Sequence, residues 1–114
     1  MTYSHSTKSD ALIITLSGDL LGEEDHKELT DRVAEFVEEG GRKALVDISG
    51  VRYINSSGIG VLITLLTKLR NREGELCLVN PSDSVKKLLI ITKLQAIFKL
   101  ATSIEEGLNL LDNN

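Results

Sequence analysis

The sequence predicts an α/β fold, with one domain over residues 1–114 and a mixed, mostly parallel sheet of four to five strands packed with about four helices. Short segments with the two-residue period of strands alternate with longer segments that have the period of helices. One short segment, Ala44–Ile48, is almost wholly apolar, as expected for a central strand covered on both faces. A chain of 114 residues, 41% of them hydrophobic, can enclose one core without disulfides or metals.

The first part of the chain predicts two strands and a helix. Thr2–Thr7 has the weak pattern of an edge strand, Ala11–Ser17 alternates clearly, and Gly18–Gly22 turns the chain. Glu23–Glu39 is typical of an amphipathic helix; its first three residues are acidic, which suits the positive helix end, and Gly40-Gly41 ends it. The residues predicted to face the core are Leu12, Ile14 and Leu16 in the second strand and Leu29, Val33, Phe36 and Val37 in the helix.

The last part of the chain predicts two more strands and two more helices. Glu75–Val79 is a short strand, and Ser82 is placed to cap a helix that carries Val85, Leu88 and Leu89. Ala96–Leu100 is the candidate for a last strand. Ser103, with Glu106 three residues later, has the form of a capping box that opens a final helix.

The longest predicted helix begins at Ser56 or Ser57 and ends near Arg70, after a predicted loop over residues 50–54. It is apolar on most sides, so its buried face is open to two interpretations. One stripe (Ile59, Leu62, Ile63, Leu66 and Leu69) is expected to pack on the sheet. Val61 and Leu65, on the other side, are either covered by a neighbouring helix or form an exposed ridge for a partner.

The start of this helix is the candidate functional site. Asn55 or Ser56 is expected to cap the helix, and if Asn55 does so, the hydroxyl of Ser57 faces outward. Gly58 and Gly60 each lower helix propensity by about 1 kcal/mol relative to alanine. Close approach of another backbone or of a phosphate would explain them, and so would tight packing against the preceding loop.

Composition excludes several classes of function. The net charge of −4 with scattered Lys and Arg does not favour nucleic-acid binding, and a single cysteine, Cys77, excludes an internal disulfide. No pattern of paired His, Cys or Ser-His-Asp residues indicates a metal site, a cofactor or catalysis. The start of the chain is not apolar, and no stretch is long enough to cross a bilayer. We therefore expect a non-enzymatic protein of the cytoplasm that neither enters a membrane nor binds nucleic acid.

The segment Asp47–Leu66, DISGVRYINSSGIGVLITLL, resembles the STAS family, the fold of the anti-sigma factor antagonists. Members of that family have Asp-Ser-Ser-Gly or Asp-Ser-Thr-Gly before an apolar helix. The earlier Gly18-Asp19-Leu20 resembles the family's Gly-Glu-Leu, and the resemblance extends over nearly the whole chain. Two residues depart from the pattern, because Asn55 stands where many members have Asp and Leu21 where an acidic residue often follows.

The resemblance implies a partner-switching regulator. A GHKL-type ATPase, which is both an anti-sigma factor and a serine kinase, would bind the unmodified protein and phosphorylate Ser57, and a PP2C-type phosphatase would reverse the modification. The rival interpretation is a non-switching STAS accessory subunit of a membrane transport system. The residues assigned to the partner-binding surface are Asn55, Ser56, Gly58, Gly60, Val61 and Leu65.

Overall fold

The computed structural model describes residues 1–22 and 26–112. Its five strands form one sheet in the order β1-β2-β3-β4-β5, in which only the β1–β2 pair is antiparallel. A mixed, mostly parallel five-stranded sheet with four α-helices confirms the predicted fold class. The elements are β1 (Thr2–Lys8), β2 (Ala11–Leu20), α1 (His26–Glu38), β3 (Lys43–Ile54), α2 (Ser56–Arg70), β4 (Glu75–Val79), α3 (Asp83–Ile91), a 3₁₀ turn (Leu94–Ala96), β5 (Lys99–Ala101) and α4 (Ile104–Asp112).

The helices divide between the two faces of the sheet. Helices α1, α2 and α3 contribute to a larger core with one face of β2, β3 and β4, whereas α4 packs on the opposite face. Within the residues the structure describes, α4 is the only helix in that second core. Its members are Ala11, Leu45, Cys77, Val79, Ala101, Leu108 and Leu111.

Strands β2 and β3 are both longer than predicted. The predicted loop over residues 50–54 is wrong, because these residues continue β3 and pair with the end of β2, from Ser17↔Gly50 to Leu20↔Ile54. Two irregularities in register interrupt this pairing, between Thr15 and Ser17 and between Gly18 and Asp19. The irregularities break the two-residue period and explain why the alternation did not indicate a strand here.

The other boundaries lie close to the predictions, with one exception. The last strand covers Lys99–Ala101, because residues 94–96 form a 3₁₀ turn before it. Helix α1 is described from His26, so the predicted helical residues 23–25 and their acidic side chains lie outside the described residues.

The predicted helix caps of α3 and α4 are confirmed. The Ser82 hydroxyl accepts the N–H of Val85 at 3.3 Å, and the Ser103 hydroxyl accepts the N–H of Glu106 at 3.1 Å. The carboxylate of Glu106 reaches back to Thr102, whose N–H it accepts at 3.2 Å and whose hydroxyl it accepts at 3.0 Å. In a standard capping box the glutamate would accept the N–H of the capping serine, Ser103, so here its bond is displaced by one residue to Thr102.

The buried face of helix α2 overlaps the predicted one only in part: Leu62, Leu66 and Leu69 are buried as predicted. Val61 and Leu65 are 1% and 0% exposed and belong to the core that also includes Leu29 and Val33 of α1. Ile59 and Ile63, predicted to lie on the sheet, are only half-buried. The interpretation of Val61 and Leu65 as an exposed ridge is therefore wrong, and the alternative, that a neighbouring helix covers them, is correct. The buried stripe consists of Gly58, Val61, Leu62, Leu65, Leu66 and Leu69.

Gly58 lies at the start of this buried stripe, where α2 meets the end of β2. A Cβ on Gly58 would fall against the carbonyl oxygen of Leu20, closer than Cβ atoms approach backbone in proteins. By contrast, a Cβ on Gly60 would have no atom within 4 Å. The close approach of another backbone thus explains Gly58 but not Gly60.

The two glycines should respond oppositely to alanine. Gly58→Ala should lower the free energy of unfolding by about 1–3 kcal/mol, since the Leu20 carbonyl must move. Gly60→Ala should raise it by up to about 1 kcal/mol, since alanine is the better helix former and meets nothing. Urea unfolding of both variants measures the difference, and equal effects would contradict the packing of Gly58 on β2.

Cys77 is a buried residue of β4, as predicted, on the face covered by α4. Burial, together with the more distant carboxylate of Glu106, raises the pKa of its thiol to about 11. Because the thiolate is the reactive form, the folded protein holds an inert cysteine at neutral pH.

We expect the Cys77 thiol to react with a disulfide reagent such as DTNB only when the protein opens. At pH 8 the native protein should label far more slowly than the same protein in denaturant, where the thiol recovers its ordinary pKa and is exposed. Absorbance of the released thiolate follows the reaction. Rapid labelling of native protein would show that α4 does not cover Cys77.

Candidate functional site

The candidate site is built at the junction of β3 and α2. Asn55 caps α2: its backbone is extended, and its side-chain oxygen accepts the N–H of Gly58 at 2.8 Å. Its own N–H donates to the carbonyl of Leu20 at 3.3 Å, which ties the cap to the end of β2. The amide of asparagine therefore makes the cap, and no carboxylate is needed to form the turn.

Ser56 and Ser57 occupy the first two positions of α2, and both are exposed. Within residues 1–22 and 26–112, neither hydroxyl has a hydrogen-bond partner in the protein. Their backbone N–H groups have no acceptor inside the helix, because the first turn of an α-helix leaves its donors free. Both hydroxyls thus lie at the positive end of the helix dipole, where an attached phosphate is tolerated.

Gly22 packs directly against Ser57. It has a φ of +81°, and a Cβ there would lie 2.6 Å from the carbonyl carbon and oxygen of Ser57 and 2.9 Å from its Cβ. The segment after β2 therefore passes beside the helix start. Leu21, the residue before Gly22, is one of the exposed large apolar side chains of the described chain.

The outward face of α2 behind Ser57 is small and polar. Gly60 and Thr64 are half-buried and Thr67 is exposed. The hydroxyl of Thr64 donates to the carbonyl of Gly60, and that of Thr67 to the carbonyl of Ile63, both at 2.9 Å. With their hydroxyls bonded to the helix itself, these side chains leave a flat surface on which another protein can lie close.

A groove of about 550 Å³ opens between the start of α2 and helix α3. Its exposed wall is mostly apolar, and the Tyr53 side chain at this junction is itself exposed. The residues that line the groove include Tyr53, Asn55, Ser56 and Ile59 on the side of the β3–α2 junction, and Val85 and Leu88 on the side of α3.

Two acidic residues that the structure describes near this junction, Asp19 and Asp47, have partners in the protein. The first turn of α2 has no acidic residue, and Arg52 forms a 3.4 Å ion pair with Asp19 at the ends of β3 and β2. The carboxylate of Asp47, in β3, accepts the N–H of Ser49 at 3.0 Å and so has a local structural role. Among residues 1–22 and 26–112, no cluster of His, Cys, Asp or Glu could hold a metal ion, and no helix is long and apolar enough to span a membrane.

Most of the sequence-predicted site residues meet at one place, but two do not. Asn55, Ser56 and Ser57 form the exposed helix start. Val61 and Leu65 are buried under α1 and offer no surface, so their assignment to partner binding is corrected. Gly58 is occupied by its contact with β2, whereas Gly60 faces outward.

Sequence reasoning missed two exposed apolar residues at the site, Leu21 and Tyr53. In the sequence, Leu21 stands out only as the residue in place of an acidic one, and Tyr53 falls within the predicted loop over residues 50–54. Tyr53 could have been found from its position, because it is a bulky side chain two residues before Asn55 and three before Ser56. Leu21 could be placed there only once the packing of Gly22 on Ser57 was known.

Comparison with known proteins identifies the family and the fold. A family model described as the STAS domain matches residues 4–107. A protein of Thermotoga neapolitana, named provisionally as an anti-sigma factor antagonist homologue, is 35% identical over 74 residues. That alignment covers 65% of this chain and 66% of the relative, just under two thirds of its length.

Solved structures share the fold at lower identity. A Thermotoga maritima protein, also provisionally an anti-sigma factor antagonist, superposes with a TM-score of 0.85 at 23% identity, covering 96% of this chain and 94% of that one. The Bacillus cell fate determinant SpoIIAA in its phosphorylated form gives a TM-score of 0.74 at 17% identity, covering 95% and 97%. A murine anion transporter of solute carrier family 26 gives 0.73 at 17%, covering 96% of this chain but 19% of the transporter.

These structural likenesses, each below 25% identity, show the fold alone. The family model carries the assignment, because its match extends from β1 to α4 and includes the β3–α2 junction with its two serines. The chain belongs to the STAS domain family.

Proposed function

We propose that the chain is an anti-sigma factor antagonist that acts by partner switching. In its unmodified form it binds an anti-sigma factor that is also a serine kinase of the GHKL ATPase type, and phosphorylation of Ser57 releases it. The observation that carries the proposal is the exposed, unbonded hydroxyl of Ser57 at the start of α2. The names of the relatives and the phosphorylated SpoIIAA structure support it.

The position of Ser57 suits a switch that leaves the fold intact. A phosphate there adds about −1.5 to −2 charges at neutral pH, at the positive end of the α2 dipole. Because the first turn has no acidic side chain, nothing in it repels the new charge. In a complex the same charge would be desolvated against the partner, which is unfavourable unless a cation meets it.

The surface around Ser57 supports recognition by another protein. Leu21 and Tyr53 are exposed apolar side chains beside it, and Gly60 leaves room above the helix. In this proposal Asn55 shapes the turn, Ser56 contacts the partner with Ser57, and Gly60 allows a close approach. These residues replace the buried Val61 and Leu65 as the docking surface.

The chain would be a substrate and a binding partner, with no catalytic role. The kinase supplies ATP and the catalytic groups, and a PP2C-type phosphatase would restore the serine. Asn55 in place of the usual Asp keeps the cap with a neutral side chain, so recognition by the kinase would depend on the shape of the turn and not on a carboxylate.

The second candidate is an accessory subunit of a membrane transport system. The structural likeness to a domain that makes up 19% of an anion transporter favours it. Ser57 would then be a solvent-exposed hydroxyl without a switching role, and the same face of α2 would pack on a permease or an ATPase. The two candidates differ in how binding responds to charge at Ser57.

We expect Ser57→Asp to abolish capture of the partner. Affinity should fall by about 100-fold or more, because burying an uncompensated charge costs several kcal/mol. The test is affinity capture from cells of the source organism, with proteins identified by mass spectrometry. Ser57→Ala, which removes the hydroxyl but adds no charge, is the matched control and should still capture an ATPase of the histidine-kinase fold.

The phosphorylation step can be measured on the same partner. Incubation with ATP and Mg²⁺ should add one phosphate to the wild type and none to Ser57→Ala, while Ser56→Ala, which keeps the acceptor, should still take up one phosphate. Modification of Ser56 would move the acceptor by one residue. Capture of a transporter subunit by the wild type and Ser57→Asp alike would replace the sigma-factor proposal with the second candidate.

Gly60 gives an independent test of the docking face. Gly60→Leu should leave the fold stable, because a Cβ meets nothing there, but should weaken capture by about tenfold or more through a clash with the partner. Thr7→Leu, at an exposed position of β1 that pairs with Leu12 at the end of β2 opposite Leu20, is the matched control and should retain capture. Binding by Gly60→Leu at wild-type affinity would place the partner elsewhere.

A further inference from the structure

Helix α3 turns two isoleucines outward that no contact in the described chain explains. Ile90 and Ile91 are 53% and 76% exposed, although Val85 and Leu89 of the same helix are buried. Single exposed apolar side chains are ordinary, but two adjacent ones on a nine-residue helix form a patch. Lys87 lies one turn before both, so the patch and a positive charge share one surface.

This patch is surrounded by positive charge. Lys86, Lys87 and Lys93 are all exposed, and none forms an ion pair within residues 1–22 and 26–112. The one acidic residue of α3 is Asp83, in the first turn, where it complements the helix dipole. The face is thus locally positive on a chain whose net charge is −4.

The patch is continuous with the groove beside the serine turn. From α3 the groove is lined by Ser84 and Leu88, and from the other side by Tyr53 and Ser56. Ile91 follows Leu88 by one helical turn and so stands at the outer edge of the groove. A partner that covers Ser56 and enters the groove can therefore contact Ile91 and Lys87 in one continuous interface.

The shape and charge of this region favour a protein over a lipid bilayer. A concave groove of about 550 Å³ with an apolar wall accepts a protruding side chain, which a flat membrane surface does not offer. The overall negative charge of the chain also opposes approach to anionic lipids. The exposed lysines and the apolar groove of this chain are complementary to a partner segment in which acidic residues flank an apolar side chain.

We propose that the α3 surface, defined as Lys86, Lys87, Ile90, Ile91 and Lys93 with the adjoining groove, binds an acidic segment of the partner that inserts an apolar side chain into the groove. The inference rests on the proposed function, because it takes the occupant to be the same protein that contacts Ser57. It adds the chemistry of the contact. Phosphorylation changes the charge of the serine turn, whereas the α3 surface binds carboxylates of the partner and is not itself modified.

The experiment measures the dissociation constant of the ATPase recovered in the capture experiment, by calorimetry with the full chain. Lys87→Glu and Ile91→Ser should each weaken binding by about tenfold, the first through like-charge repulsion and the second through lost apolar contact. Binding by the wild type should weaken as NaCl rises from about 50 to 300 mM, and Lys87→Glu should flatten that dependence.

Two control variants isolate the surface. Lys87→Arg keeps the charge and should bind as the wild type. Lys8→Glu makes the same charge reversal on an exposed lysine at the end of β1, remote in the sheet order from β4 and α3, and should also bind as the wild type. Because the three side chains that these four variants change are all exposed, circular dichroism should show an unchanged fold for every variant.

The outcomes separate this inference from the function on which it rests. Wild-type affinity for Lys87→Glu and Ile91→Ser, with binding lost in Ser57→Asp, would overturn the α3 surface and leave partner switching in place. Failure of the wild type to capture an ATPase of the histidine-kinase fold would overturn both. Sedimentation of the wild type with phosphatidylglycerol vesicles, lost in Lys87→Glu while partner affinity is unchanged, would overturn the protein occupant in favour of a lipid.

Discussion

The carbonyl group of Leu20 is the point on which the candidate site depends. It accepts the N–H of Asn55, the residue that caps α2, and it lies where a side chain on Gly58 would otherwise be. One backbone oxygen thus fixes the end of β2, the β3–α2 turn and the first turn of α2 relative to one another. The outward direction of Ser57 follows from that arrangement, since Gly58 must face inward for the helix to approach so closely.

The same arrangement separates stability from recognition along α2. Its inward stripe, from Gly58 to Leu69, packs on α1 and the sheet. The outward face carries the two serines, Gly60 and the threonines, together with the half-buried Ile59 and Ile63. A modification or a partner on the outward face therefore meets side chains on which the core does not depend. This division explains how the helix can hold two exposed hydroxyls at its first turn without weakening the fold.

Local signals in the sequence sufficed for the fold class, for the caps at Ser82 and Ser103, and for the position of the serine turn. They failed where the answer depended on a distant neighbour. The residues after Gly50 extend β3 only because the end of β2 pairs with them, across two irregularities in register. Helix α2 is apolar on nearly every side, so only the position of α1 decides that Val61 and Leu65 are inside. The groove joins α2 to α3, two helices separated by a strand, and no short pattern encodes it.

The unequal cover of the two sheet faces has a consequence for synthesis on the ribosome. Strands β3 and β4 bury one face against α1, α2 and α3, but Leu45 and Cys77 on the other face are covered by α4, which is synthesised last of the four helices. Because α4 follows every strand that the structure describes, a sheet that assembled before α4 was made would expose Leu45 and Cys77 on that face.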